Sequence, residues 1–140
     1  MNKVIIARGP GETEEIGVDL AADVSDGTVV SLVGELGAGK TTFVKGLAKG
    51  LLVTDAVVSP SYLLARDYVG RLSLHHIDAY RLDSVAELAE VGLDELFPPQ
   101  EGVTAIEWPE RIDGIIDISD ILVRIEVVDL ETRRVTVTRR

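Results

Sequence analysis

Apolar residues in the first third of the chain follow two different spacings, one shortly after the other. A β-branched apolar run occupies residues 28–33, and residues 40–52 carry apolar side chains at helical spacing. The first spacing is typical of a buried strand and the second of an amphipathic helix. Residues 34–39 between them are rich in glycine, which predicts a tight loop joining the two elements.

Two further elements are predicted before this unit. Residues 3–7 have the composition of a short strand, and the glycines and proline of residues 9–11 break it. A helix is predicted to begin after Thr13, because apolar residues then recur on one face. Glu14 and Glu15 would lie in its first turn, where acidic side chains favour the helix dipole.

The remainder of the chain predicts strands, two short helices and two hairpins. In chain order the expected elements are strands at 62–69 and 72–78, helices at 83–88 and 92–97, and strands at 102–106, 120–128 and 133–138. Short turns separate the first pair of strands and the last pair, so each pair should form an antiparallel hairpin. Ser84 and Glu87 have capping-box spacing, although Asp83 could cap the same helix.

This order of elements predicts an α/β protein. The fold expected is a three-layer fold like that of P-loop NTPases, whose mixed sheet has parallel core strands and antiparallel hairpins at its edges. A length of 140 residues with 46% hydrophobic content suits one domain, 1–140, and no linker or internal repeat divides it.

Composition and charge exclude several classes of protein. A net charge of −10 argues against a protein that binds nucleic acid alone. The basic cluster of Arg133, Arg134, Arg139 and Arg140 is expected to be a solvated chain end, and a contact with a nucleotide or RNA is the alternative. The chain has no cysteine, so it can form neither disulfides nor thiolate metal sites. It has no apolar run near 18 residues and no signal peptide, so we expect no membrane association and a cytoplasmic protein.

The glycine loop carries the strongest functional motif. Residues 34–41 read GELGAGKT and match the Walker A pattern G-x-x-x-x-G-K-[ST]. Glycines let successive backbone N–H groups turn inward, and the following helix start favours a polyphosphate. The alternative is a simple turn with a solvated lysine, but the strand before it and the helix after it favour a nucleotide site. The residues predicted to bind the nucleotide here are Gly37, Ala38, Gly39, Lys40, Thr41 and Thr42, with the Thr41 hydroxyl on Mg²⁺.

Two carboxylates are candidates for completing a magnesium site. Glu107 follows the apolar run 103–106, and Asp78 ends the strand predicted at 72–78. We expect Glu107 to hold Mg²⁺ and Asp78 to assist it or orient water, although either could be only a turn or cap residue. His76 could act as a base, but packing within its strand is the favoured interpretation. Trp108 could belong to the core or cover the nucleotide.

Several motifs in the same order resemble the TsaE (YjeE) family of small bacterial P-loop ATPases. The loop and its continuation, GELGAGKTTF, are similar to the family's GDLGAGKTTF, with Glu35 replacing aspartate. Residues 59–62 are similar to its SPT[FY], with Ser61 for threonine, and residues 76–82 match HxDxYRL. Residues 106–110 match IEWPE, and Leu63 departs from the threonine of many members.

The resemblance implies a function that the residues alone do not specify. The family serves threonylcarbamoylation of adenosine 37 in tRNA (t6A) together with TsaD and TsaB, and its ATP hydrolysis is thought to reset that complex. Direct contact with tRNA is expected to be made by the complex. The resemblance implies that Thr41 and Glu107 hold Mg²⁺ and that Ser59 to Tyr62 form a switch-like loop near the γ-phosphate. It also implies that Trp108 matters to activity and that Arg134 lies beside the nucleotide.

A P-loop is also found in three other kinds of protein that this chain could be. A small-molecule kinase would need an acceptor pocket and an arginine-bearing lid, and no inserted lid is evident in a chain of 140 residues. A GTPase would carry an N-K-x-D motif, which is absent. A binding module that uses ATP only to gate assembly would differ from the ATPase mainly in its rate of hydrolysis.

Overall fold

A computed structural model of the protein describes residues 2–60 and 64–140, and these form one mixed sheet with helices on its faces. The strands within these ranges are β1 (Asn2–Arg8), β2 (Val29–Val33), β3 (Ala65–Val69), β4 (Ser73–Asp78), β5 (Val103–Glu107), β6 (Ile121–Val127) and β7 (Thr132–Arg139). The helices are α1 (Pro10–Leu20), α2 (Lys40–Gly50), α3 (Val85–Glu90) and α4 (Ile115–Ile118), with 3₁₀ turns at Ala21–Asp23, Asp94–Leu96 and Pro109–Arg111.

The order of strands confirms the predicted fold class. Across the sheet the order is β1-β7-β6-β2-β5-β4-β3. The central pairs β6–β2, β2–β5 and β5–β4 are parallel. The pairs β1–β7, β7–β6 and β3–β4 at the two edges are antiparallel, and the last two of these are the predicted hairpins. Since the carboxyl ends of β2, β4 and β5 lie at the same end of the sheet, side chains that follow them meet there.

Helices α1 and α2 cover one face of the sheet. The core between them and the strands includes Val30, Leu32, Phe43, Leu47 and Ala105, all buried. The two helices touch at Gly17 and Gly46, because a Cβ on Gly17 would overlap the Phe43 carbonyl oxygen and one on Gly46 would overlap that of Glu14. This close crossing fixes how α2, and with it the glycine loop, sits on the sheet.

On the opposite face of the sheet, the segments that follow β4 and β5 cover the half that contains the parallel strands. A second buried cluster joins strand residues to the segments that follow β4 and β5, and consists of Ile77, Ala79, Leu82, Leu88, Ile106, Ile112 and Ile115. At β1, by contrast, Val4 and Ile6 remain 60% and 44% exposed. The three-layer arrangement is therefore complete around the central strands and thins toward β1. No helix within the described ranges is long and apolar enough to cross a membrane.

Several boundaries differ from those predicted. Helix α1 begins at Pro10 rather than after Thr13, since proline suits the first helical position and Gly9 caps it with φ 90°. Thr13 is consequently a buried residue inside the helix, and Glu12 is its first-turn acid. Helix α2 ends at Gly50 and not at 52, because Leu52 adopts a φ of 63°.

The second half of the chain shows similar differences. Strand β3 begins at Ala65 because Leu64 has a φ of 67°, and residues 62 and 63 of the predicted strand lie outside the described ranges. Ser84 caps α3 by accepting the Glu87 N–H, while the Glu87 carboxylate accepts the N–H of Asp83. In place of the helix predicted at 92–97 there is a 3₁₀ turn at Asp94–Leu96. The 3₁₀ turns at Ala21–Asp23 and Pro109–Arg111 and the short helix α4 were not predicted.

Candidate functional site

The glycine loop joins the end of β2 to the start of α2, as its sequence predicts. Gly37 and Gly39 have φ values of 80° and 113°, a region that residues with a Cβ rarely adopt. A Cβ on Gly34 would lie 2.7 Å from the Ile125 carbonyl oxygen, so this position also requires glycine. The loop therefore wraps closely around the amino end of α2, where unpaired N–H groups favour an anion.

Lys40 is the first residue of α2, and its ammonium group lies inside the loop. Its Nζ donates to the Gly34 carbonyl oxygen at 2.5 Å and lies 3.4 Å from the centre of the Trp108 ring. The side chain is almost fully buried, and this burial lowers the pKa of Lys40 below its usual 10.5. Nearby Glu107, Glu110 and Asp78 oppose that decrease in pKa. A cation is thus held where the motif places phosphate.

Glu107 ends β5 at the same edge of the sheet. Its Oε2 accepts the Thr41 hydroxyl at 2.9 Å and lies 2.6 Å from Nε2 of His76. In the β4–β5 register Asp78 lies directly beside Glu107, and its Oδ1 accepts the Tyr80 N–H at 2.9 Å. Because alternate residues of β4 face the same side, His76 and Asp78 both point toward α2. Two carboxylates and one hydroxyl therefore meet beside the loop.

Trp108 follows Glu107 in a left-handed backbone conformation, with φ 60° and ψ 45°. Such a conformation is uncommon for a bulky residue and costs free energy that the surroundings must offset. The indole ring packs against Tyr80 with ring centres 5.0 Å apart at an angle of 65°, and it also faces Lys40. Trp108 thus covers the loop on one side and contacts the second apolar cluster on the other.

These groups border one cavity of about 270 Å³. Its lining consists of Leu36, Gly37, Gly39, Lys40, Thr41, Thr42, Ser59, Asp78, Glu107 and Trp108. All the predicted site residues are among them except Ala38, which lies in the same loop, and Arg134. Of the predicted switch-like loop, Ser59 lines the cavity, while Ser61 and Tyr62 lie outside the described ranges.

A second cavity, of about 280 Å³, lies against the glycine loop near α1 and the β6–β7 turn. It shares Gly37, Gly39 and Thr42 with the first and is otherwise lined by Gly9, Pro10, Thr13, Ala38, Leu130, Glu131 and Arg133. Arg133 donates from Nε to the Ala38 carbonyl at 2.9 Å and from an Nη atom to the Asp129 carbonyl at 2.8 Å. Its guanidinium group therefore ties the β6–β7 turn to the loop.

Arg134, the arginine predicted from the resemblance, does not reach the loop. Its guanidinium lies 3.8 Å from the Glu126 carboxylate, and both side chains are about half exposed. Successive residues of a strand face opposite sides, so Arg133 shares the side of buried Val135 and Arg134 faces away. The alternation of residues 133, 135 and 137 in the sequence was the signal that could have identified Arg133.

The oxygen atoms around the first cavity suit a magnesium ion. Hydroxyl and carboxylate oxygens are its preferred ligands, and with a nucleotide it needs only one or two from the protein. The Thr41 hydroxyl donates its hydrogen to Glu107, which leaves the lone pairs of its oxygen available for a metal. The described residues contain no group of three or more His, Cys, Asp or Glu side chains able to hold a metal alone. A metal here would depend on bound phosphate.

Known proteins are similar to this chain in sequence and in fold. The profile of the family described as threonylcarbamoyl adenosine biosynthesis protein TsaE matches residues 7–136. The tRNA threonylcarbamoyladenosine biosynthesis protein TsaE of Treponema pallidum is 36% identical over 132 residues, which are 94% of this chain and 97% of that protein. Its namesake from Bacillus subtilis is 39% identical over 130 residues, 92% and 80% of the two chains.

A solved structure agrees with these matches. The crystal structure of Bacillus subtilis YdiB superimposes with a TM-score of 0.80 at 33% identity, over 99% of this chain and 86% of that one. The sequence profile, the relatives and the shared fold all point to one family. The chain belongs to the TsaE family.

Proposed function

We propose that this protein is a magnesium-dependent ATPase, formed by a single domain over residues 1–140, that serves the t6A modification of tRNA. Its relatives are named for biosynthesis of that nucleoside. The observation that carries the proposal is the convergence of Lys40, Thr41 and Glu107 on one cavity beside the glycine loop. ATP hydrolysis then resets a TsaB–TsaD-like partner complex, and the tRNA is met through that complex.

Binding of phosphate exchanges one set of contacts for another. The Lys40 ammonium leaves the Gly34 carbonyl for the β- and γ-phosphates, while backbone N–H groups of Gly37, Ala38 and Gly39 surround the phosphate oxygens. These contacts are charge-assisted and therefore stronger than the bond to a neutral carbonyl. The exchange favours nucleotide binding because the partially desolvated ammonium gains an anionic partner.

Thr41 and Glu107 would hold the metal, and Asp78 would assist. Bound Mg²⁺ neutralises phosphate charge and polarises the bond that is broken. Thr41 can offer a lone pair while its hydrogen stays on Glu107. Asp78, which lies beside Glu107 at the cavity wall, orients water for attack on the γ-phosphate. Ser59 lies at the same wall and would respond to that phosphate.

The second cavity is the proposed site of the adenosine. It adjoins the phosphate site through Gly37, Gly39 and Thr42, as a nucleoside joined to those phosphates requires. Pro10, Thr13 and Leu130 supply mainly apolar surface, and Arg133 supplies a cation at the loop. Few polar groups with apolar walls are typical of small-molecule sites. Trp108 keeps its role on the phosphate side, where it covers Lys40.

The test measures ATP hydrolysis and t6A formation with and without a purified TsaB–TsaD complex. Hydrolysis is expected to be slow alone and to rise with the complex, and t6A turnovers per TsaD should exceed one only when this protein and ATP are present. Lys40→Ala and Glu107→Ala should each reduce hydrolysis at least about 100-fold, since each removes a phosphate or metal contact. Lys45→Ala, an exposed residue on the same helix, is the matched control.

Three results would contradict the proposal. Undiminished hydrolysis by Glu107→Ala would refute the metal assignment. Phosphate transfer to a small metabolite without stimulation by the partner complex would instead indicate a small-molecule kinase. If this protein stimulates a single turnover of t6A formation when ATP is bound but not hydrolysed, the nucleotide only gates assembly of the complex.

A further inference from the structure

His76 is a buried titratable residue to which the proposed reaction gives no role. It lies in β4 with no exposed surface, and its Nε2 is 2.6 Å from Oε2 of Glu107. Within the described ranges its other ring nitrogen, Nδ1, is buried without a hydrogen-bond partner. A buried polar atom without a partner costs free energy. The site thus retains a histidine at this cost, which suggests that its single bond to Glu107 is useful.

The register of the sheet explains how this bond arises. In the β4–β5 pairing His76 lies opposite Ala105, and Asp78 lies opposite Glu107. The small Ala105 side chain lets the His76 ring lie along the strand toward the Glu107 carboxylate. His75, one residue earlier, faces the other side, where it contacts Asp67 at 2.8 Å and the Glu101 carbonyl at 3.0 Å. The two neighbouring histidines therefore have separate surroundings.

His76 cannot itself meet the substrate. It is absent from the lining of the first cavity, whereas Glu107 and Asp78 both belong to it. Its Nε2 is engaged by a carboxylate, which can only accept hydrogen bonds, so Nε2 carries the hydrogen. A histidine in this arrangement acts on the site through Glu107.

Both bonds to Glu107 reach the same oxygen. The Thr41 hydroxyl and the His76 Nε2–H converge on Oε2, at 2.9 and 2.6 Å, and neither uses Oε1. Two donors on one oxygen fix the rotation of the carboxylate about its last bond. A carboxylate with one donor would keep that freedom and would have to lose it when a metal binds. Hydrogen bonds that orient a ligand are known to strengthen metal binding.

We propose that His76 is a positioning residue, which holds the Glu107 carboxylate in the orientation that binds magnesium together with Thr41. This inference rests on the proposed metal role of Glu107. It predicts that loss of the His76 bond weakens the contribution of the metal to nucleotide binding, while binding of the nucleotide without metal is unchanged.

The experiment is calorimetric titration of the protein, residues 1–140, with a non-hydrolysable ATP analogue, once in EDTA and once in MgCl₂. The dissociation constant in EDTA divided by that in MgCl₂ measures how much the metal strengthens nucleotide binding, and it does so without any turnover. His76→Leu should lower this ratio about tenfold, the lower end of the effect known for residues that orient metal ligands. Its dissociation constant in EDTA should equal that of the wild type.

Amide variants separate positioning from packing. The amide nitrogen of His76→Gln reaches the place of Nε2 and should restore most of the ratio, whereas that of His76→Asn lies nearer the place of Nδ1 and should not. This pair decides the question if His76→Leu fails to fold, as judged by circular dichroism. His75→Leu is the matched control and should keep the wild-type ratio, because its contacts lie on the other side of the sheet.

The outcomes distinguish this inference from the proposed function. If Glu107→Gln lowers the ratio to about one but His76→Leu and His76→Asn keep the wild-type ratio, His76 has no positioning role. In that case only this inference fails. If wild type shows the same affinity in EDTA and MgCl₂, the metal assignment fails and this inference fails with it.

Discussion

Lys40 is held in the glycine loop by contacts that a bound nucleotide is proposed to replace. The ammonium bonds to the Gly34 carbonyl and faces the Trp108 ring, so its charge is only partly compensated. A cation over an aromatic ring gains about 0.5–2 kcal/mol, depending on its desolvation. Phosphate offers a stronger partner, and Trp108, which contacts Lys40 directly, would respond to the exchange.

The lowered pKa of Lys40 predicts a pH-dependent stability. In the interval between this lowered pKa and 10.5 the unfolded chain binds more protons than the folded one, so the free energy of unfolding rises with pH. Below that interval the full cost of the buried charge is present. Lys40→Met should remove this rise, which urea unfolding between pH 7 and 10.5 measures. Lys45→Met is the control and should keep the wild-type rise. If the free energy of unfolding rises with pH equally in wild type and Lys40→Met, the prediction is contradicted.

The adjacent residues Arg133 and Arg134 should differ in their effect on nucleotide binding. Arg133→Leu should weaken nucleotide binding about tenfold, because its bonds to the Ala38 carbonyl and the turn shape the loop, and hydrogen bonds to charged groups contribute about 1.5–3 kcal/mol. Arg134→Leu breaks only an exposed ion pair with Glu126 and should change affinity less than about twofold. Titration with a fluorescent nucleotide compares them, and equal losses would refute the assignment of Arg133.

Among the elements, α1 and α2 show how packing away from the site controls the loop. Gly17 and Gly46 let the two backbones approach until no Cβ fits between them. Since α2 begins with Lys40, any shift of the helix moves with it the residues proposed to bind phosphate. The helix pair therefore acts as a rigid support for the loop.

Gly46→Ala is expected to destabilise the fold and weaken nucleotide binding together. Its methyl group would overlap the Glu14 carbonyl oxygen, and overpacking of this kind typically costs about 1–3 kcal/mol. Gly11→Ala in α1 is the matched control, because its Cβ would meet nothing within 4 Å and alanine favours a helix. Thermal unfolding monitored by circular dichroism compares the variants. An unchanged midpoint for Gly46→Ala would show that the helices can separate without cost.

The sheet unites the whole molecule by carrying an apolar cluster on each face. Strands β4 and β5 contribute Leu74 and Ala105 to one cluster and Ile77 and Ile106 to the other. A strand shared by two clusters couples their unfolding, because losing one cluster exposes the back of the other. The described fold therefore supports the proposal that residues 1–140 are one domain.

Unfolding in urea should consequently be a single cooperative transition. Trp108, the sole tryptophan in the sequence, packs against the second cluster and reports on it by fluorescence. Circular dichroism reports mainly on the larger helices α1 and α2 over the first cluster. Coincident midpoints from both signals are expected of one domain of this size. Two separated midpoints would divide the chain into units that unfold independently.

The features that could be predicted from the sequence are those that depend on near neighbours. The glycine loop, the antiparallel hairpins and a cap at Asp83 or Ser84 follow from spacings of a few residues, which local backbone geometry obeys; the structure chose Ser84. The position of Glu107 after a buried strand was also readable, because parallel strands present their carboxyl ends at one edge. The start of α1 was missed although its proline was visible, since Thr13 also resembles a cap.

Contacts between distant residues, by contrast, depend on how the strands are ordered and paired. Arg133 rather than Arg134 reaches the loop, and it does so across 95 residues of sequence to Ala38. His76 bonds to Glu107 across 31 residues, because β4 and β5 are neighbours in a particular register. A shift of that register by one residue would turn either side chain to the other face of the sheet. Strand order and register, which no local pattern specifies, therefore choose the partners in this site.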